Sequence, residues 1–348
     1  MPSEKKRSRV TLLDVAREAG VSRATASLVI RKSPLVSAET RRRVEETLER
    51  LGYVYNMGAA RMRAARSQTV GVIIPNLNNP FFAEMLSGLQ ATLDVADMVV
   101  ILANSRESTE KQRTIIRRMR EHGVDGLIVC PATGTDESLL SDASEWGLPL
   151  VQALRYVSET AGDYAGSDYV GGMRQAVRRL YGLGHRRIAF LNGNLVHSAQ
   201  AERLAGFKAG MKEHDLSDDL VTSIPLTQQS AIAAAARLHE GRNPPTAAIC
   251  FNDVVGLGLS SGLYDLGLEV GRDFSVIGFD NVPEANLVRP KLTSVATHPE
   301  TIGETAAQLL VDRLQSPDRG ARRVINLTEL VERQSCGAPR QPERTAQR

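Results

Sequence analysis

Two architectures in one chain are predicted: a small all-α helix-turn-helix module, then a larger α/β module built as two doubly wound subdomains. Three observations carry this. Positive charge concentrates in residues 1–66, which hold 15 Lys/Arg against 7 Asp/Glu, whereas the other 282 residues hold 28 against 33 and the net charge is only +3. Helix-capping residue types recur between 11 and 52. Beyond residue 68, short β-rich runs alternate with helix-period stretches, the rhythm of parallel strands joined by crossover helices. A length of 348 residues allows about two domains at roughly 150 residues each.

Composition narrows the class. With 42% hydrophobic and 24% charged residues, the chain is an ordinary folded protein rather than a disordered one. No apolar run approaches the ~18 residues of a membrane span. The basic start, Met1 to Arg7, is followed by no hydrophobic signal segment, so a cytoplasmic protein with no membrane partner is expected. Cys130, Cys250 and Cys336 lie far apart, two of them in apolar strand-like runs, which argues against a disulfide framework.

In the basic module, Thr11-Leu12-Leu13-Asp14 reads as a capping box that starts a helix reaching about Ala19. Gly20 supplies a tight turn and Ser22 a new N-cap, so a second helix runs from Arg23 to Ile30. Ser37 announces a third helix, with Val44, Leu48 and Leu51 inward and Gly52 as its stop. On the second helix Ala26, Val29 and Ile30 can face a core. Arg23, Ala24, Ser27 and Leu28 then share the opposite side, available to a major groove. Arg23 suits a guanine edge and Ala24 or Leu28 a thymine methyl, with Thr25 and Ser27 at phosphates. The bland alternative is a three-helix interaction domain with a solvated basic face.

In the large module, Val70–Ile74, Met98–Leu102, Gly126–Cys130, Leu148–Val151, Arg187–Leu191, Ala247–Phe251 and Phe274–Gly278 read as strands. Helical patterns such as Phe82–Leu93 and Thr109–His122 separate them. Two groups of strands imply two similar subdomains around a crevice at the strand ends, where ligands bind. Motifs for catalysis fail. Gly256-Leu-Gly258-Leu-Ser-Ser-Gly262 has the wrong spacing for a dinucleotide loop, the six His residues never pair at metal-ligand spacing, and no nucleophile elbow or Walker loop is present. No enzyme activity, cofactor or metal is expected.

The run Thr11 to Ile30, with Val36 to Val44 and Leu51 to Asn56, closely resembles the DNA-binding headpiece of LacI/GalR-type transcriptional regulators. The likeness continues through Val72 to Glu84, Gly123 to Ile128, Gly184 to Phe190, Glu202 to Phe207, Cys250 to Asp253, Val276 to Asp280 and Pro290 to Thr293, covering about residues 10–337. It implies a periplasmic-binding-protein-like core with three crossovers and an effector in the cleft. The core would dimerise to present two headpieces to a pseudo-palindromic operator.

The implied domains are residues 1–55 as headpiece, 56–67 as hinge, 68–337 as core and 338–348 as a loose tail. Within the core, one subdomain takes about 68–160 and 293–323 and the other about 161–292 and 324–337. Asn56, Arg61 and Met62 fall on a hinge helix, with Met62 where the family places an apolar minor-groove wedge; a plain basic tether is the alternative. Leu28 and Ala26 depart from the family's usual polar residue and Val. Tyr169 and Asp97 stand where Asn and Gly are usual.

Arg203, Asn252 and Asp280 match effector-binding positions of the family, and a fork, an amide and a carboxylate together suit a polyhydroxylated or otherwise polar molecule. Phe81 and Phe82 can offer ring faces to such a ligand, and His197 lies in the loop that shapes effector choice. For Asn252 and Asp280 the alternative is that they satisfy turn backbone after strands.

The resemblance implies a sequence-specific transcriptional regulator, a repressor, whose DNA affinity is set by a sugar, sugar acid or similar metabolite. A solute-binding receptor would instead be found outside the cytoplasm, and an enzyme on this scaffold would turn over a metabolite.

Overall fold

The computed structural model describes residues 10–30, 33–53, 66–240 and 243–340. Asn56, Arg61 and Met62 lie outside them. The chain divides into two compact units, Met1–Ser67 and Gln68–Arg348.

In the first unit, Thr11 opens α1 (Leu12–Glu18) through a full capping box. Its hydroxyl accepts from the Asp14 N–H at 3.3 Å, and the Asp14 carboxylate accepts from the Thr11 N–H at 2.9 Å. The Ser22 hydroxyl accepts from the Thr25 N–H at 3.0 Å at the head of α2 (Arg23–Ile30). Ser37 caps α3 (Ala38–Leu51), and Gly52 ends it with φ 60, a left-handed backbone that glycine adopts without strain. Val15, Ala16, Ala19, Ala26, Val29 and Val44 are buried together, while Ile30 is only half-buried. Arg50 of α3 pairs with Glu18 of α1 at 3.0 Å.

The second unit holds two six-stranded sheets. The first comprises β1 (Thr69–Ile74), β2 (Val99–Asn104), β3 (Gly126–Val129), β4 (Leu150–Ala153), β5 (Asp163–Ser167) and β11 (Arg323–Asn326), in the order β11-β5-β4-β3-β1-β2 and all parallel. The second comprises β6 (Ile188–Gly193), β7 (Val221–Ile224), β8 (Ala247–Cys250), β9 (Ser275–Asp280), β10 (Thr293–Ala296) and β12 (Glu329–Val331). Its order is β12-β10-β9-β8-β6-β7, and β12 pairs antiparallel.

Helices α4 (Phe81–Val95), α5 (Thr109–Glu121), α6 (Ser138–Glu145) and α12 (Pro299–Gln315) flank the first sheet. The second is flanked by α7 (Tyr169–Gly182), α8 (Ser198–Glu213), α9 (Gln228–His239), α10 (Asp253–Asp265) and the short α11 (Glu284–Leu287). Each sheet is covered on both faces by buried apolar clusters, which is why its strands read as continuous apolar runs.

The subdomain edges drawn from the sequence near 160, 292 and 323 are corrected by the sheet topology. β5 stays in the first sheet, β10 belongs to the second, and β11 returns to the first. The crossings therefore follow Ser167, Ala296 and Asn326. They are tied together: the Asp168 N–H donates to the Asn326 carbonyl at 2.9 Å, Ser167 Oγ to the Thr297 carbonyl at 3.1 Å and Thr328 Oγ1 to the Asp168 carbonyl at 3.2 Å. Apolar periodicity misses these strands because their polar side chains are satisfied by distant partners. Thr293 Oγ1, for example, accepts from the Arg333 N–H at 2.9 Å.

Glycines set the helix crossings. A Cβ on Gly88 of α4 would strike the Glu300 carbonyl, and one on Gly303 of α12 the Met85 carbonyl. Backbone cannot yield there as a flexible side chain would. Gly303→Val is expected to lower stability by about 1–3 kcal/mol, read as a urea-midpoint shift, and a change under about 0.5 kcal/mol would contradict it. The Gly256–Gly262 run forms no nucleotide loop: it lies in α10, where Gly258 and Gly262 face the Gln228 and Ile232 carbonyls of α9.

Of the tail expected at 338–348, residues 338–340 are described, and there Arg340 pairs with Asp273 at 2.8 Å. Among the described residues, no helix is long and apolar enough to cross a membrane.

Candidate ligand cleft and nucleic-acid interface

Of the headpiece residues singled out by sequence, Arg23 and Ala24 are exposed on α2, with Ser27 and Leu28 half-buried beside them. Thr25 is drawn to Ser22 by a 2.9 Å hydroxyl contact, so both polar groups serve the helix start. Thr11 likewise donates its hydroxyl to Asp14 at 2.6 Å. The exposed strip therefore rests mainly on Arg23, Ala24, Ser27 and Leu28.

In the larger unit a cleft of about 850 Å³ lies between the subdomains at the carboxyl ends of the strands. Phe81, Phe82, His197, Arg203, Asn252 and Asp280 all line it. Arg203 projects from α8 and is 5% exposed. Its guanidinium stacks between rings, 4.0 Å from the Tyr169 centroid, 4.4 Å from Phe279 and 4.5 Å from Phe251. Nη1 donates to the Ala199 carbonyl at 3.2 Å and Nη2 to Asp280 Oδ1 at 3.4 Å, leaving Nε buried with no partner among the described residues.

Asp280 ends β9 with φ 105, a strained backbone for a residue with a Cβ, which marks a site where structure is held against local preference. Burial pushes its carboxyl up to about 7. The Arg203 charge and a hydrogen bond from Asn79 of the other subdomain oppose the shift, and Glu84 adds to it. Asn252 combines both readings of the sequence: its Oδ1 caps α10 by accepting from the Val255 N–H at 3.0 Å, and the residue lines the cleft.

His197 is the N-cap of α8, with Nδ1 accepting from the Gln200 N–H at 3.1 Å. The ring proton therefore sits on Nε2, which is buried without a partner among the described residues. Burial, then Arg155 and Arg203, hold the imidazole down at about 2, so it is a neutral donor. Phe81 and Phe82 open α4 in an edge-to-face pair at 5.6 Å.

Sequence reasoning missed Arg155 and Glu107. Arg155 Nη1 and Nη2 each donate to Glu107 at 2.9 Å, and Thr133 supplies further donors to that carboxylate. Both line the cleft from the first subdomain, and Glu107 (φ 58) and Leu154 (φ 65) share its strained rim. An arginine following a strand carries no motif, and its partner lies 48 residues away. Tyr169, noted as unusual for the family, is the ring nearest Arg203. Asp97 adopts φ 57, a left-handed backbone that glycine takes without strain. Cys130 also lines the cleft, but burial pushes its thiol up to about 12, against a nucleophilic role.

Comparison with known proteins adds two matches along the chain. Residues 11–56 match the family described as bacterial regulatory proteins, lacI family, and residues 177–336 a periplasmic binding protein-like domain. Catabolite control protein A of Priestia megaterium is 36% identical over 304 residues, 86% of this chain and 91% of that protein. A transcriptional regulator CelR–cellobiose complex is similar in structure, with TM-score 0.72 and 32% identity over 94% of this chain and all of that one. The lac repressor dimer bound to operator and the anti-inducer ONPF aligns with TM-score 0.86 and 25% identity, over 95% of this chain and all of that one.

Proposed function

Since the chain belongs to the lacI family of bacterial regulatory proteins, we propose that it is a repressor whose hold on an operator is set by a small polar effector in the cleft. Residues 1–55 read DNA, 56–67 form the hinge, 68–337 sense the effector and dimerise, and the protein works in the cytoplasm on nucleoid DNA.

One observation carries the effector reading: among the described residues, His197 Nε2–H and Arg203 Nε–H are buried donors without partners beside a roomy cleft. A buried unpaired donor costs about 1–3 kcal/mol, which a ligand oxygen would recover. The flanking Arg203–Asp280 and Arg155–Glu107 pairs offer donors and acceptors from opposite walls, and Phe81 and Phe82 add an apolar face. That combination suits a sugar, sugar acid or related metabolite, in keeping with the cellobiose held by the CelR complex. Pairing with a second copy is supported by edge strand β2, whose Val99, Ile101 and Leu102 are 66%, 41% and 40% exposed.

The test is a thermal-shift screen of the full chain against sugars (cellobiose and ribose among them), sugar acids, polyols and nucleobases. A true effector at 100 times its Kd stabilises by about 2.7 kcal/mol; no shift from any class would sink the effector reading. Selection from random DNA should enrich a pseudo-palindrome, bound with steep salt dependence as Lys/Arg contacts release counterions. No enrichment, or indifference to salt, would sink the operator reading. Arg23→Ala should weaken the selected site by about 1–3 kcal/mol and relax base preference at one position per half-site. A uniform loss across sequences would assign Arg23 to phosphate instead.

A further inference from the structure

Helix α8 makes a second set of contacts with the first subdomain. Ser198 and Glu202, four residues apart and so on one helix face, meet the loop after β4. The Tyr156 N–H donates to Ser198 Oγ at 2.9 Å, and Tyr156 Oη lies 2.8 Å from Glu202 Oε1 and 3.1 Å from Glu159 Oε1. From the other side, the Arg323 guanidinium stands 4.5 Å from the rings of both Tyr156 and Tyr164. Arg323 belongs to β11 and Tyr164 to β5, the two strands that each lead into a crossing between subdomains.

A phenol has one hydrogen and can donate to only one carboxylate. Both contacts are hydrogen bonds together only when one carboxyl keeps a proton and donates it to Oη. Glu202 is the group placed to do so. Burial pushes its carboxyl up; the Tyr156 hydrogen bond and the charges of Arg203 and Arg323 pull it down, and Glu159 pushes it up, with the shift upward on balance. Tyr164 and Tyr169 also face it, while Asp280, at the end of β9 in the same subdomain as α8, titrates separately.

We propose that Tyr156 is a positioning residue for the cleft, the centre of a proton-dependent Glu202–Tyr156–Glu159 clasp that holds the first turns of α8, and with them His197 and Arg203, against the first subdomain. The regulatory meaning rests on the effector reading above; the clasp itself does not. It is complete when Glu202 is protonated and loosens as pH rises through the titration of that carboxyl.

The test places spin labels on the full chain at Asn78→Cys and Gln229→Cys, exposed positions on opposite walls of the cleft, in a Cys336→Ser background, without ligand. Electron–electron distances are read at pH 4.5 and pH 8. The unmodified clasp should give a narrow distribution at pH 4.5 that widens at pH 8. Glu202→Gln, whose amide keeps a donor, should remove most of that widening, leaving only what Asp280 contributes. Tyr156→Phe, which keeps the ring stacking, should be wide at both pH values. If Tyr156→Phe does not fold, Glu202→Leu should be wide at both. Equal widening in the Glu202→Gln and parent proteins, or a Tyr156→Phe or Glu202→Leu distribution matching the parent's, overturns the clasp. Failure of the ligand screen would leave this result standing, and the reverse.

Discussion

Replacing Arg203 with alanine is expected to abolish any effector-induced thermal shift and to destabilise the protein more at pH 8 than at pH 6. Removing one partner of a buried ion pair typically costs about 3–5 kcal/mol, because the other charge is left in a poor solvent. Here Asp280 has an escape, since it can take up a proton. Its carboxyl is already raised from 3.8 to about 7, with Arg203 the largest influence opposing the rise. The sign follows from linkage: a carboxyl raised in the folded state contributes stability that is full below its unfolded value and lost as pH rises through the folded one.

Without Arg203 that carboxyl moves still higher. At pH 6 it stays protonated and the variant loses chiefly the three ring contacts. At pH 8 it must either ionise alone in the core or hold a proton against the solution. Melting both proteins at the two pH values decides the matter, and equal losses would mean that the Arg203–Asp280 contact at 3.4 Å carries no electrostatic weight.

A larger loss of stability, with no pH dependence near neutrality, is expected for Asp163→Ala. The Asp163 side chain is 0% exposed at the start of β5 and accepts five hydrogen bonds. They come from Arg313 Nε at 3.0 Å and Nη2 at 3.1 Å, Arg319 Nη1 and Nη2 at 2.9 Å each, and the Arg322 N–H at 2.9 Å. Burial pushes this carboxyl up, but the hydrogen bonds from Arg313, Arg322 and Arg319 prevail and hold it below the usual range.

The alanine variant strands two guanidiniums that are 17% and 10% exposed, at a cost of about 3–5 kcal/mol out of a typical 5–15. It also releases the segment that feeds β11 into the first sheet. Because the folded carboxyl titrates below its unfolded value, the contribution is present above that value and fades as pH falls through the folded one. Denaturant midpoints of parent and variant should therefore differ widely at pH 7 and converge in acid. A difference under about 1 kcal/mol at pH 7 would contradict the expectation.

These two residues also separate what is local from what is not. Thr11, Ser22, Ser37 and Gly52 mark helix ends within one turn of themselves, so the headpiece is written in short-range chemistry that a single sequence exposes. The apolar runs of β1, β3, β6, β8 and β9 are legible for a related reason: strands covered on both faces carry their burial in composition. Phe81, Phe82, His197, Arg203, Asn252 and Asp280 could be named because the runs that hold or flank them resemble the family's core, and all six line the cleft.

Asp163 announces nothing of the kind. It sits in Asp-Tyr-Ala-Gly-Ser, a segment without an apolar run, and becomes a strand only when arginines 150 and 156 residues later close over it. Arg155 and Glu107, and Tyr156 with Glu202, are likewise pairs whose members look unremarkable until the fold joins them.

The sequence alone determined that a capped, basic helix-turn-helix is followed by a double-wound α/β core, because caps, turns and buried strands depend on neighbours a few residues away. Only the tertiary structure decided where the chain crosses between sheets, which arginine neutralises which carboxylate, and which loop meets the first turns of α8. Each of those depends on desolvation and charge pairing between groups far apart in the chain, and such energies have no value until the groups meet.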